Sequence, residues 1–499
     1  MNFLGLIDNT ALLLGIAKKN PAPTDKVASG FLKSKRNLGS NDRRFILDLL
    51  FFTIRNYTLI EYLASEINKN TDITNYFSKN VNISSKKTDF LKVLTAVLLI
   101  INLPNYQKYQ YIFGYLNKKE IQNSSHFTDI ILSLIQNSFN LTNEVLNNWI
   151  KNLNNYYDLI ENSFLENIKK SSTIDDNTLK YISLYNSFPE WIINNILKFK
   201  LISIENLSKL TQSFTENAPI TIRISKKNLA NIDKIKEYFK KENVELTKCQ
   251  LSPVAYNLSK RIYLNESTLY KNGSIEIQDE ASQLVSYALA PEENWVILDA
   301  CAGAGGKSLH LADLQNDNGL IIALDKEYNR LKEIPRRAKN SGYCSILTYI
   351  VDEKNYPKVK DKNIKFFNNC LFDAVLIDAP CSGMGTLRRD PMKKYRTTPR
   401  LIEKLSEKQY EILEHYSQFL KADGVLVYAT CSILPEENEL VIEKFLKNHP
   451  EFIPDPLINA FSKHNIVIPD LSNEFCYTFY PHLYGTDGFF IARMKKVKL

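Results

Sequence analysis

The sequence predicts an α/β fold, a doubly wound and mostly parallel sheet, preceded by an all-helical region and a small α/β linking segment. Three observations carry that expectation. From residue 295 onward, short apolar runs at 295–298, 320–324, 346–351, 374–377 and 425–428 alternate with helical stretches, the pattern of parallel strands joined by crossover helices. Up to about residue 165, apolar residues recur at helical spacing and Gly and Pro are almost absent after the opening segment. Between about 200 and 275, "APITIRIS" alternates as a strand does and "KNLANIDKIKEYFKKENVEL" follows as an amphipathic helix.

A chain of 499 residues exceeds what one core usually holds, so several domains are expected. The texture changes place them at 1–165, 166–275 and 276–499. In the first, the helix beginning at Ser40 is the clearest: Phe45, Leu49 and Phe52 fall at i, i+4 and i+7 behind a Ser40-Asn41-Asp42 start signal. The longest apolar run, from Val93 to Ile101, is too short to cross a bilayer and reads as a buried helix. Apolar residues make up 44% and charged residues 24% of the chain, an ordinary soluble balance. The net charge of +8 suits a polyanionic partner without speaking to fold. Seven cysteines scattered without paired spacing, and no apolar leader at Met1, point to thiols in a reducing cytoplasm. Neither a membrane nor a metal partner is expected, and a monomer is.

In such a sheet, ligands sit beyond the carboxyl ends of the strands, so the residues just after each strand matter most. The first strand runs into "LDACAGAGGKS", which begins a helix. Its tail resembles a nucleotide-phosphate loop, but that motif requires glycine where Cys301 stands, so ATP or GTP does not fit. The second strand ends in Asp325, roughly twenty residues after the loop, where an acid meets a ribose hydroxyl. Asp352 ends the third. A glycine-rich turn followed by Asp325 suits an adenosine-containing cofactor. Without the GxGxxG spacing, S-adenosylmethionine stands ahead of NAD, and tight packing with a helix cap is the bland alternative.

The fourth and fifth strands carry the chemistry. "DAPCSGMGTLRRDP" supplies Asp378, Pro380 and Cys381, and "ATCSILPEENE" supplies Cys431. These strands should be neighbours, bringing two thiols and a carboxylate to one crevice. One buried cysteine at a strand end is usually an inert apolar residue. Two, beside Asp378 and facing a cofactor loop, favour reactive thiols. Zinc is the weaker rival, since there is no CxxC pair and no His at ligand spacing.

"QDEASQLV", "LDACAGAGGK", "LDKEYNRL", "DAPCSGMGTLRRDP", "YATCSILPEENE" and "GTDGFFIARMKK" appear in that order. Over about residues 275–499 the chain therefore resembles the RsmB/Sun-type (NOP2/Sun superfamily) RNA cytosine-5 methyltransferases. "FPEWIINNIL" and "APITIRIS" resemble the segment before their catalytic domain. "LGSNDRRFILDLLFFTIRN" looks like the NusB-type helical RNA-binding domain that begins members acting on small-subunit ribosomal RNA.

The resemblance implies a Rossmann-like class I methyltransferase domain. It implies that S-adenosylmethionine is contacted by Cys301, Ala302, Gly303, Ala304, Gly305, Gly306, Lys307, Asp325 and Asp352, with Asp378 at the junction of cofactor and target base. Ala304 departs from the family's usual proline, and a solvated lysine at the helix start is the bland reading of Lys307. The family's chemistry makes Cys431 the nucleophile that adds to carbon 6 of cytosine and Cys381 the thiol that helps release the product. Asp378 would hydrogen-bond the base's Watson–Crick edge, in protonated form if it donates to nitrogen 3. Arg388, Arg389, Lys393, Lys394 and Arg396 are expected along the RNA backbone, against the plainer reading of a solvated basic loop. A non-catalytic RNA-binding or assembly factor is the alternative, and retained Cys381, Cys431 and Asp378 argue against it. DNA methylation is disfavoured by the "ATCS" cysteine and the helical extension.

Overall fold

The computed structural model describes residues 1–71, 83–116, 127–139, 141–170, 175–199, 203–351 and 371–498. The chain divides into two compact units, one of Met1–Glu216 with Leu387–Thr397, the other of Asn217–Thr386 with Thr398–Leu499.

The first unit is helical. Its Ser40–Arg55 helix buries Phe45, Leu49 and Phe52 on one face, and Asp42 closes its start by accepting the Gly39 N–H at 3.1 Å. The Lys87–Asn102 helix buries the whole run from Val93 to Ile101. Among the described residues no single helix is long and apolar enough to cross a membrane. The helices continue to Ser213, well past the boundary expected near 165. Helical spacing persists there, with Ile192, Ile193 and Ile196 buried on one helix and Leu207, Leu210 and Thr211 on the next.

The second unit begins with a small antiparallel sheet: β1 (Ile220–Ile224), β2 (Leu246–Lys248), β3 (Ala255–Leu258) and β4 (Ile275–Ile277), ordered β2-β3-β1-β4. The amphipathic Ile232–Lys241 helix drops Ile235 and Phe239 onto Ile222, Ile224 and Ile275. Where an α/β linking segment is expected over 166–275, this small sheet occupies Ile220–Ile277 and belongs to the second unit.

The main sheet follows. Its strands are β5 (Val296–Asp299), β6 (Leu320–Asp325), β7 (Ile346–Ile350), β8 (Phe372–Asp378), β9 (Leu420–Thr430), β10 (Phe452–Pro454), β11 (Cys476–Phe479) and β12 (Phe489–Lys496). The order is β10-β12-β9-β8-β5-β6-β7, with β11 on β12. Strands β5 to β9 pair in parallel, as the alternation of apolar runs and helices predicts, and β12 runs antiparallel to β9. Because both faces are covered, the strands are apolar on both sides. Ile297, Leu376 and Val427 pack into one layer, and Leu298, Val375 and Leu426 into the other. The chain runs outward from β5 to β7 and then returns to the other side of β5 as β8. That reversal opens a crevice beyond the ends of β5 and β8, where Asp299 and Asp378 stand.

Candidate active site

Strand β5 feeds directly into the glycine loop. The Ala300 N–H bonds Leu376 O of β8 at 2.9 Å, and the Ala302 N–H bonds Leu324 O of β6 at 2.8 Å, so the loop is pinned across the strand ends. Gly303 and Gly305 then adopt φ of +57° and +87°, left-handed values that glycine takes without strain. A side chain at Gly305 would run into Ile334, whereas the space where one would stand at Gly303 is open. Asp325, half-buried at the end of β6, accepts the N–H groups of Gly303 and Glu327, each at 2.7 Å. Its two oxygens keep lone pairs for further donors. A turned backbone, an open cradle and an acid at the next strand end fit the methionine and ribose portions of S-adenosylmethionine. Asp352 lies outside the described residues.

Asp299 is fully buried and accepts the Ser308 hydroxyl at 2.6 Å. Burial lifts its carboxyl to about 7, against the opposing pull of that hydroxyl. Lys307, in the first turn of the Gly306–Leu314 helix, is buried with its Nζ 2.7 Å from Asp378 Oδ2 and 5.3 Å from the centre of the Phe489 ring. Burial alone would pull this ammonium down, but the charge and hydrogen bond of Asp378 outweigh it and raise it. The solvated reading of Lys307 is thereby replaced by an ion pair. Asp378 keeps 30% of its side chain exposed, so one side of the pair stays open.

The thiols meet beyond β8 and β9. These strands are in parallel register with Asp378 opposite Ala429, which brings Cys381 and Cys431 out at the same end. Their sulfurs are 3.3 Å apart. The neighbouring Cys431 thiol and burial together push the Cys381 thiol well up. The Gly385 N–H bonds Cys431 O at 2.9 Å, and the Gly488 N–H bonds Gly385 O at 2.8 Å. A Cβ on Gly385 would overlap the Gly488 carbonyl, so the "GMGT" and "TDGF" motifs need glycine where their backbones cross.

Several supporting residues escape a sequence reading. Arg223 of β1 is buried and donates to Gln278 Oε1 at 2.7 Å and to Gly306 O at 3.0 Å. Arg337 pairs with Glu276 of β4 at 2.6 Å and donates to Ala304 O. The small sheet thus holds the glycine loop from behind. An arginine inside the otherwise apolar run "ITIRI" was the one available signal, because a buried guanidinium needs partners. Glu437 is a second such residue, fully buried among the backbone and side chains that flank both thiols.

The basic residues after Cys381 depart from a strip along a backbone. Leu387–Thr397 packs within the helical unit, drawn there by Met392, 1% exposed in its core, and by Tyr395. Lys394 is buried and donates to Arg55 O at 2.8 Å and Ser187 O at 2.6 Å, capping two helix ends. Arg396 donates to Ala17 O at 2.8 Å and Ala22 O at 3.0 Å and pairs with Asp390 at 3.5 Å. Arg388 is buried as well, Lys393 is half-buried, and Arg389 is exposed.

Residues 286–495 match the model of the family described as 16S rRNA methyltransferase RsmB/F. The chain is 32% identical over 335 residues to the probable ribosomal RNA small subunit methyltransferase B of Bacillus subtilis (strain 168), covering 66% of this chain and 71% of that protein. It is 31% identical to the ribosomal RNA small subunit methyltransferase B of Shewanella oneidensis, over 68% of this chain and 73% of the relative. A 28S rRNA (cytosine-C(5))-methyltransferase of Mus musculus is 29% identical, over 64% of this chain and 40% of its own length. Among solved structures, a methyltransferase homolog protein from Pyrococcus horikoshii superposes with a TM-score of 0.52 at 25% identity, covering 65% of this chain and all of that one.

Proposed function

This chain belongs to the RsmB/F family of 16S rRNA methyltransferases, and from that premise we propose that it methylates a small-subunit ribosomal RNA cytosine through the paired thiols Cys431 and Cys381. It is an S-adenosylmethionine-dependent RNA (cytosine-5-)-methyltransferase. The single observation carrying the mechanism is the 3.3 Å contact between the two sulfurs, at the strand ends that also hold the Lys307–Asp378 pair.

Carbon 5 of cytosine is a poor nucleophile, so the reaction needs prior activation. Cys431 Sγ, as thiolate, forms a bond to carbon 6, and the electrons of the 5,6 double bond make carbon 5 nucleophilic. S-adenosylmethionine, when bound, supplies an electrophilic methyl group on a sulfonium. The loop from Cys301 to Gly306 and Asp325 would hold that cofactor, and the resemblance adds Asp352 as a further contact. Asp378 orients the base through its Watson–Crick edge, and the proton of the Lys307–Asp378 pair is available for nitrogen 3. Once carbon 5 carries the methyl group, its proton passes to water, the C–H electrons re-form the double bond and the Sγ–carbon 6 bond breaks to return the Cys431 thiolate. The neighbouring Cys381 thiol assists that release by donating to the sulfur. Carbon 6 is shielded in a stacked pair, so the target base is unpaired or flipped.

In this reading the helical unit is the RNA-binding, NusB-like part, and Arg389 and Lys393 meet RNA phosphates. Lys394 and Arg396 instead stabilise the helical unit. In this reading the protein acts as a cytoplasmic monomer. Bisulfite mapping of ribosomal RNA from cells with and without the gene tests the reading. A small-subunit cytosine that loses its mark without the gene supports it, and an unchanged small-subunit map refutes it.

A further inference from the structure

Glu437 ends the short Pro435–Glu437 turn after β9 and is 0% exposed. Its Oε1 accepts the Ser382 N–H at 2.8 Å and the Gln409 side-chain amide at 3.0 Å. Its Oε2 accepts the hydroxyls of both Ser382 and Ser432. Ser382 follows Cys381 and Ser432 follows Cys431, so one carboxylate catches each thiol-bearing loop one residue past its cysteine. The same Gln409 amide donates to Pro380 O at 3.0 Å, immediately before Cys381. Tyr428 donates to Glu437 O at 2.6 Å and anchors the turn to β9.

Among the described residues no cation pairs with this carboxylate; its charge is met by neutral donors alone. A buried charge held this way is a poor device for stability, since an apolar side chain of like volume would fill the space without desolvating an ion. It is a good device for position. Two oxygens, each shared between two donors from different segments, fix distances that packing alone would leave loose.

We propose that Glu437 is the positioning residue that holds Cys381 and Cys431 in register, acting through Ser382 and Ser432. It touches no reacting atom. Its purpose rests on the two-thiol mechanism above, but the geometric claim stands on the clasp itself. Without the carboxylate, the N–H of Gly385 to Cys431 O remains as a link between the loops, and the sulfurs separate.

The test reads thiol proximity directly. Dibromobimane bridges two thiols when each thiolate displaces one bromide, and the Cys381–Cys431 bridge is quantified by mass spectrometry of peptides from the intact chain. Glu437→Ala should bridge at least tenfold more slowly than the unaltered protein. Glu437→Gln should stay within threefold, because the amide oxygen keeps the two N–H donors and its NH2 group can donate to the two hydroxyls. S-adenosylmethionine binding by calorimetry should change less than twofold in both, and kcat should fall at least tenfold in Glu437→Ala with KM for RNA nearly constant.

Unimpaired bridging in Glu437→Ala overturns the proposal. Should Glu437→Ala lose cofactor binding through misfolding, Ser382→Ala/Ser432→Ala, which keeps the carboxylate, decides. Slow bridging with intact cofactor binding supports the clasp, and normal bridging refutes it. Bridging needs no methyl transfer, so failure of the two-thiol mechanism would leave this readout intact and show only in the kinetics.

Discussion

Lys307 donates to Asp378 at 2.7 Å, joining the helix that follows the glycine loop to the end of β8. The glycine loop and the carboxylate at the end of β8 are therefore tied together by one ion pair. Lys307→Met would leave the carboxylate without its cation. Because Asp378 is 30% exposed, urea unfolding should show a loss of about 2 kcal/mol, below the roughly 3–5 kcal/mol of a fully enclosed pair. Cofactor affinity should fall at least fivefold, and unchanged affinity would separate the pair from the cofactor site.

Asp299 gives a pH signature. Its carboxyl is raised by burial from 3.8 to about 7, so the folded protein holds a proton that the unfolded chain releases between those values. The contribution to stability is fully present below about 3.8 and is lost as pH rises through about 7. Asp299→Asn stays neutral throughout. Its urea midpoint relative to the unaltered protein should therefore rise from about pH 5 to about pH 8. A difference that is flat with pH would contradict the burial argument.

Gly385→Ala should cost catalysis more than cofactor binding. The new methyl group meets the Gly488 carbonyl, and relief of that overlap shifts the backbone that hydrogen-bonds Cys431 O. Methyl transfer should fall at least tenfold with calorimetric cofactor affinity within twofold. Equal losses in both would mean that the crossing supports the whole unit instead of the thiol.

Much of this site is legible along the chain because parallel strands export function to their carboxyl ends. Asp299, Asp325, Asp378, Cys381 and Cys431 each follow an apolar run, and strand adjacency brings the last three together. Glu437 is not legible and Arg223 shows only as a charge within a strand, since their meaning lies in partners that the fold brings together. The basic segment misled for a different reason. Charge density suggests solvent, but Met392 and Tyr395 at helical spacing with Lys394 between them decide burial, and the lysine serves carbonyls at two helix ends. The helices run past the boundary expected near 165, because helical spacing and the Asn- and Lys-rich texture both continue to Ser213.

Lys394 offers a check on that correction. Lys394→Met keeps the apolar stem but leaves the carbonyls of Arg55 and Ser187 without this donor, at a cost of about 1–3 kcal/mol in unfolding. The salt dependence of RNA binding should be unchanged. Arg389→Ala, in contrast, should reduce the slope of log affinity against log salt by about one. A reduced slope in Lys394→Met would return that lysine to the RNA backbone.

The most direct test of the account is the fate of substrate RNA in the two thiol variants, followed on a denaturing gel with labelled RNA and S-adenosylmethionine. With the sulfurs 3.3 Å apart and roles divided as proposed, Cys381→Ala should form the covalent protein–RNA adduct and stall, so that protein and RNA migrate together. Cys431→Ala and the double variant should form none and transfer no methyl group, while binding the cofactor normally. Adduct in Cys431→Ala and none in Cys381→Ala would exchange the two roles. Undiminished methyl transfer in both single variants would contradict thiol catalysis, and with it the carbon 5 target.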